Sequence, residues 1–206
     1  MGNLWFDEAL LKRELNRIPV TLRVVFAAAV AERLLPTYAD FSRKTGRGNP
    51  HSLMEILERL WRDTDGIKMS PEELQQNIDS SMELIPKEDD EPWVPEQNCA
   101  EDAAAAVVYA LCTRQNGNPQ DAAWAARRAW EALDDFVLTK EDIDPSAPGA
   151  QERITLNPLI QAELLRQQRD LRELVAADPK DVSAIAQKMR QRARAESISV
   201  FAWDRK

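Results

Sequence analysis

Residues 103–112 read Ala-Ala-Ala-Ala-Val-Val-Tyr-Ala-Leu-Cys, and residues 122–132 set Ala122, Ala123, Ala125, Ala126, Ala129 and Ala132 around Trp124 and Trp130. Alanine is the strongest helix former, and its methyl side chain lets neighbouring helix backbones approach to about 8 Å. Gly117-Asn118-Pro119 separates the two stretches. Glycine stops one helix, asparagine caps the next and proline occupies its first turn. So short a turn predicts antiparallel neighbours, tightly packed.

The same punctuation extends outward in both directions. Residues 7–16 predict a short opening helix with Leu11 and Leu15 on one side. Pro19 starts a longer helix that is apolar all round from 24 to 31, which implies enclosure by several neighbours. Pro36 is expected to kink or divide it, and Gly46 to stop it. Asn49-Pro50 opens a helix with Leu53, Ile56, Leu57, Leu60 and Trp61 at helical spacing. Ser70-Pro71-Glu72-Glu73 is a capping box, followed by a stripe of Leu74, Ile78, Met82 and Ile85. Residues 86–97 read as a loop, with Asn98 as cap of the first alanine-rich helix. Downstream, 144–155 reads as a connector. Asn157-Pro158 opens a helix bearing Ile160, Leu164, Leu171 and Leu174, and Asp178-Pro179 opens another bearing Val182, Ile185, Ala186, Met189 and Ala193. Alternation at Ile198 and Val200 predicts a short extended C-terminal strap across the bundle. The expected fold is all-α: one domain over residues 1–206, a bundle of about seven to eight helices.

Composition narrows the function classes. Net charge is -8, from 35 acidic against 27 basic side chains, so a nucleic-acid surface is not expected. Lys188, Arg190, Arg192 and Arg194 resemble a basic patch, but 100° per residue splits them into two pairs on opposed faces. Arg166, Arg169 and Arg172 share a side, with Glu163 and Asp170 close by. The longest apolar run, 24–31, falls far short of the roughly 18 residues a membrane span needs. The N-terminus lacks a leader pattern, and Phe6 stands where an acylation motif wants Ser or Thr. Cys99 and Cys112 lie about 20 Å apart along one helix and cannot pair with each other; reduced thiols predict a cytoplasmic protein.

Motifs for chemistry are sparse. A single histidine, His51, excludes the paired Glu-x-x-His elements of helical di-iron sites, and the soft ligands for zinc are too few. Thr45-Gly46-Arg47-Gly48-Asn49 has the glycines of a phosphate loop but neither a preceding strand nor a following Lys-Ser/Thr. No cofactor is expected. Cys99, near a helix N-terminus, would gain thiolate character from the dipole, but Glu101 and Asp102 oppose it. Glu32, after the apolar run, needs a partner or a hydrogen bond. Two arrangements satisfy it. Glu32 and Asp102 could face one another, as a hard-cation site or a proton-sharing pair, with Arg33 orienting an anionic substrate and Tyr38 or His51 in support. Alternatively Glu32 pairs with an arginine, while Glu101 and Asp102 complement the helix dipole. The acidic run Glu88-Asp89-Asp90-Glu91, followed by Trp93 between two prolines, offers a contact for a basic partner at Asp89, Asp90 and Trp93.

Phe26, Glu32-Arg33, Pro36-x-Tyr38, Phe41, Thr45-Gly46 and, further on, Leu57 and Trp61 form a pattern that resembles the YjaG-like proteins, domain-of-unknown-function family 416. Asp102-Ala103 matches more loosely. The resemblance implies a compact all-helical bacterial protein of the cytoplasm, with Glu32, Arg33, Tyr38 and Asp102 as a common polar cluster. It implies no reaction. The expectation is therefore a helical protein that works through contacts with a protein partner or as a small homo-oligomer; the alternative is a carboxylate-based enzyme or divalent-cation binder centred on Glu32 and Asp102.

Overall fold

The computed structural model describes residues 3–87 and 93–198, among which lie nine α-helices and no strand. These are α1 (Glu8–Leu15), α2 (Val20–Thr45), α3 (Pro50–Thr64), α4 (Pro71–Glu83), α5 (Glu96–Asn116), α6 (Pro119–Lys140), α7 (Ala150–Thr155), α8 (Pro158–Val175) and α9 (Val182–Ala195). One 3-10 turn, Pro179–Asp181, precedes α9.

The alanine-rich helices α5 and α6 pack on each other and on α2, and this trio is the centre of the fold. Ala27, Ala28, Ala29 and Ala31 of α2, Ala103, Ala104, Ala106 and Ala110 of α5, and Ala122, Ala125, Ala126 and Ala129 of α6 are all fully buried. Methyl groups on all three sides permit close backbone approach. The register of α5 against α6 is antiparallel: Tyr109 meets Trp124, Asp102 meets Arg128, and the Asn98 amide donates to Asp135. Smaller helices close the remaining sides, α1 on α6, α3 and α9 on α2, and α4 on α5. Arg23 closes two helix ends at once, donating to the carbonyls of Leu15 at the end of α1 and Gly117 at the end of α5.

Most boundaries follow local chemistry. Asn49, Asn118 and Asn157 each accept a backbone N–H at the start of their helices, and the Ser70–Glu73 capping box is present in both directions. Gly46 and Gly117 end α2 and α5 at φ of +70° and +69°, in the left-handed region.

Four expectations need correction. Pro36 does not divide α2: Leu34, Thr37, Tyr38 and Phe41 are buried on both sides of it, and that packing offsets the roughly 3 kcal/mol cost of an internal proline. The Thr37 hydroxyl also lies within hydrogen-bond distance of the carbonyls of Leu34 and Cys99, tying this turn to α5. Asn98 is not a cap, because α5 starts at Glu96 after a turn in which the Gln97 amide donates to the Val94 carbonyl. Met82 is exposed, and Ser81 takes the inward position on α4. The connector after residue 144 contains the short helix α7, which the reading of 144–155 as a connector leaves out. Of the strap, Ile198 is buried and its amide donates to the Arg33 carbonyl at 2.7 Å; Val200 and the rest of the tail lie outside the described residues.

Candidate functional site

Glu32, Arg33, Tyr38 and Asp102 are each anchored separately, and no hydrogen bond or ion pair joins any two of them among the described residues. Glu32 lies where α2, α3 and α9 meet. Its Oε2 accepts from Trp61 Nε1 at 2.6 Å, and its Oε1 accepts from Arg194 Nε at 2.7 Å. Arg190 lies 3.9 Å away, above the Trp61 ring, and pairs with Glu58. The arginine-paired arrangement therefore describes Glu32, and its oxygens are turned toward α3 and α9 rather than toward Asp102.

The four basic residues of α9 do form two opposed pairs. Arg190 and Arg194 reach Glu58 and Glu32; Lys188 and Arg192 reach Glu173, with Arg192 also on Asp170. Only Ala186, Met189 and Ala193 of α9 are buried, so ionic contacts carry an unusual share of its docking. In Arg190→Ala/Arg194→Ala, amide hydrogen exchange across 182–195 is expected to accelerate about tenfold or more, with α5 and α6 amides unchanged. Unchanged exchange in α9 would show that its small apolar face suffices alone.

Arg33 is the largest of the fully enclosed charged side chains among the described residues. Its guanidinium is 1% exposed and clamps Glu163 through Nε and Nη2 at 3.1 and 2.8 Å, while Nη1 donates to Asp170 at 2.8 Å. Gln167 bridges Glu163 to the Ala126 carbonyl. Arg192 and Arg169 reach the other Asp170 oxygen, and Arg169 continues to Glu196. Arg33 thus has no free edge for a substrate anion. Glu163, Gln167 and Asp170 were not among the expected site residues, although a signal existed: they interrupt the Ile160, Leu164, Leu171, Leu174 stripe at positions on the same helix side.

Tyr38 is buried and donates its hydroxyl to the Leu84 carbonyl at 2.7 Å, beside Gly48. A Cβ at Gly48 would lie 2.7 Å from that hydroxyl, and its φ is +74°, so both space and backbone call for glycine there. His51 is on the surface near Glu55. Trp93 is 54% exposed; Asp89 and Asp90 lie outside the described residues.

Asp102 belongs to a different group. It is 6% exposed, on the side of α5 that faces α6, and accepts from Arg128 at 3.1 Å. Burial pushes its pKa up to about 8 against the pull of Arg128, with repulsion from Glu131 and Asp135 adding to the rise. Burial likewise raises Asp134 and Asp135, whose carboxylates accept from the neutral amides of Gln151 and Asn98. Burial first, and Asp102 second, drive Cys99 upward, so it is held as a thiol that donates to the Ala132 carbonyl; the helix dipole does not decide its charge. A pocket of about 160 Å3 opens beside it, lined by Glu96, Cys99, Asp135, Phe136 and Thr139 among others. Among the described residues no group of three or more His, Cys, Asp or Glu could hold a metal ion.

The geometry defines an all-helical bundle with an alanine centre and ion pairs that tie α2 to the outer helices α8 and α9. The chain belongs to the family described as "Protein of unknown function (DUF416)", whose model matches residues 11–201. It is 25% identical over 174 residues to the uncharacterized protein YjaG of Escherichia coli (strain K12), covering 83% of this chain and 85% of that protein. The crystal structure of a DUF416 family protein from Shewanella baltica OS155 is similar in fold, with a TM-score of 0.75 at 20% identity, over 92% of this chain and 95% of that one. Among the described residues no helix is long and apolar enough to cross a membrane.

Proposed function

We propose that this protein acts through contact with another protein, and that the outer seam of the α5–α6 hairpin is its contact surface. The observation that carries this reading is the tilted ring contact of Tyr109 with Trp124, centroids 5.4 Å apart, in line with carboxylates whose charge is not fully matched. Tyrosine and tryptophan are the side chains that most often anchor protein interfaces. Trp93, two residues before the pocket-lining Pro95, adds an exposed aromatic ahead of α5. By contrast Glu32 and Arg33, the residues a carboxylate-based reaction would draw on, are held in ion pairs between helices. The arginines of α9 are engaged in the same way, which argues against a phosphate-binding face. A cytoplasmic setting fits the two free cysteines.

Light scattering and affinity capture from a cell extract test the reading. The chain is expected to self-associate or retain a specific protein, and Tyr109→Ala/Trp124→Ala to lose that association while keeping its helical circular dichroism. Neither self-association nor a retained protein, or an association indifferent to the double substitution, would sink it.

A further inference from the structure

We infer that the α5–α6 seam takes an amphipathic helical segment of a partner, one that presents a large apolar side chain at one end and lysine or arginine at the other. This rests on the protein-contact reading above and gives its partner a chemistry. On α6, residues 124, 128, 131 and 135 recur at helical spacing; on α5, residues 98, 102, 105 and 109 do the same. The antiparallel register joins them into one line. Tyr109 and Trp124 mark its apolar end, Ala105 and Val108 are half-buried along it, and Asp102, Glu131 and Asp135 mark its acidic end. Trp124 to Asp135 is eleven residues of helix, about 16 Å. A docked helix would therefore place its anchor and its cation about eleven residues apart. The furrow between two antiparallel helices is the shape such a segment fills.

Charge supplies the sign of the partner. Arg128 serves Asp102 and Glu131, and Arg127 serves Glu131 and Glu8. Asp134 and Asp135 are left, among the described residues, with hydrogen bonds from neutral amides alone. On and beside this seam Glu131, Asp134 and Asp135 thus stand against two arginines, one of them divided with α1, while burial favours the neutral form of Asp102. Burial first, and repulsion between neighbouring carboxylates after it, raise Asp102, Asp134 and Asp135, and a cation seated beside them would oppose that rise. An incoming ammonium or guanidinium group supplies that cation, and a nucleic acid would be repelled. The aromatic end gives a peptide a hold that a simple polyamine cannot use.

A synthetic helical peptide of about 18 residues tests this by calorimetric titration of the full chain, with leucines at one end and two lysines about eleven positions on. Binding is expected, weakened at least tenfold by Trp124→Ala, by Asp134→Asn/Asp135→Asn, and by lysine-to-glutamine changes in the peptide. Because burial already disfavours ionised Asp134 and Asp135, the amide variants keep the fold, which circular dichroism verifies. Absence of binding, binding unchanged in Asp134→Asn/Asp135→Asn, or complete displacement by an equal concentration of spermine would overturn the inference. A glutamine peptide that binds as well as the lysine peptide, yet loses affinity with Trp124→Ala, overturns the partner's charge and leaves the contact reading standing. Failure of the capture experiment removes both.

Discussion

Arg33→Met is expected to lower the unfolding free energy by about 3–5 kcal/mol, read from a urea titration followed by circular dichroism. The size comes from what is left behind. Glu163 and Asp170 are 1% and 2% exposed, and both accept from Arg33. Methionine matches much of the arginine stem in volume but leaves a carboxylate pair facing apolar atoms, and an ion unpaired in such a setting costs several kcal/mol. Asp170 keeps Arg192 and Arg169, so Glu163, with Gln167 and the more distant Arg166, suffers more. The companion Arg33→Met/Glu163→Met/Asp170→Asn is expected to regain most of the loss, because no buried charge lacks a partner and the amide carbonyl introduced at position 170 can still accept from Arg192. A single-variant loss under about 1 kcal/mol would mean that water reaches the carboxylates once the guanidinium is gone. A triple variant as unstable as the single one would mean that the ion triad sets the seating of α8 on α2, and not merely its own neutrality.

That triad marks where sequence reasoning reaches its limit. The helices are legible because the chain states their ends: Asn-Pro at 49, 118 and 157, the Ser70 box, and glycines at 46 and 117. The two opposed pairs on α9 are legible too, since their spacing alone separates them. The rotation of α2 is not. Residues 24–31 are apolar on every side, so the helix has no preferred face, and nothing local says whether Glu32 points toward α5 or toward α3. The surroundings decide: Trp61 on α3 and Arg194 on α9, residues far apart in sequence, meet it there. Arg33, one position on, is turned by 100° and lands on α8 instead. Pro36 departs from expectation for a related reason, because the penalty is local and the packing that offsets it is not. The pairing of α5 with α6 is readable from the turn, and with it the alignment of Asp102 with Arg128. Its consequence for the Asp102 charge depends on Glu131, Asp135 and burial together.

Asp102→Asn is expected to stabilise the protein by about 2–5 kcal/mol near pH 8.5 and to leave its stability unchanged near pH 3.5. The Asp102 carboxyl has an ordinary value of 3.8 and is held at about 8 in the fold. The folded state therefore binds this proton more tightly than the unfolded chain does. Below pH 3.8 both states are protonated and ionisation costs the fold nothing. As pH rises from there to about 8, the unfolded chain ionises freely while the fold resists. Stability falls by up to about 1.4 kcal/mol per pH unit across that window and levels off once the folded carboxyl also ionises. Asparagine does not titrate, and its carbonyl can still accept from Arg128, so the advantage of the variant grows over the same window. Urea titrations of both proteins at half-unit steps from about pH 3.5 to 9 would trace the curve. A gain that does not change with pH would trace to packing alone, and a loss at every pH would mean that the attraction of Arg128 outweighs burial. A cation delivered to the seam lowers the folded-state pKa and so shrinks the same difference. The pH-dependent gap between Asp102→Asn and the parent is thus expected to narrow when the lysine-bearing peptide is bound.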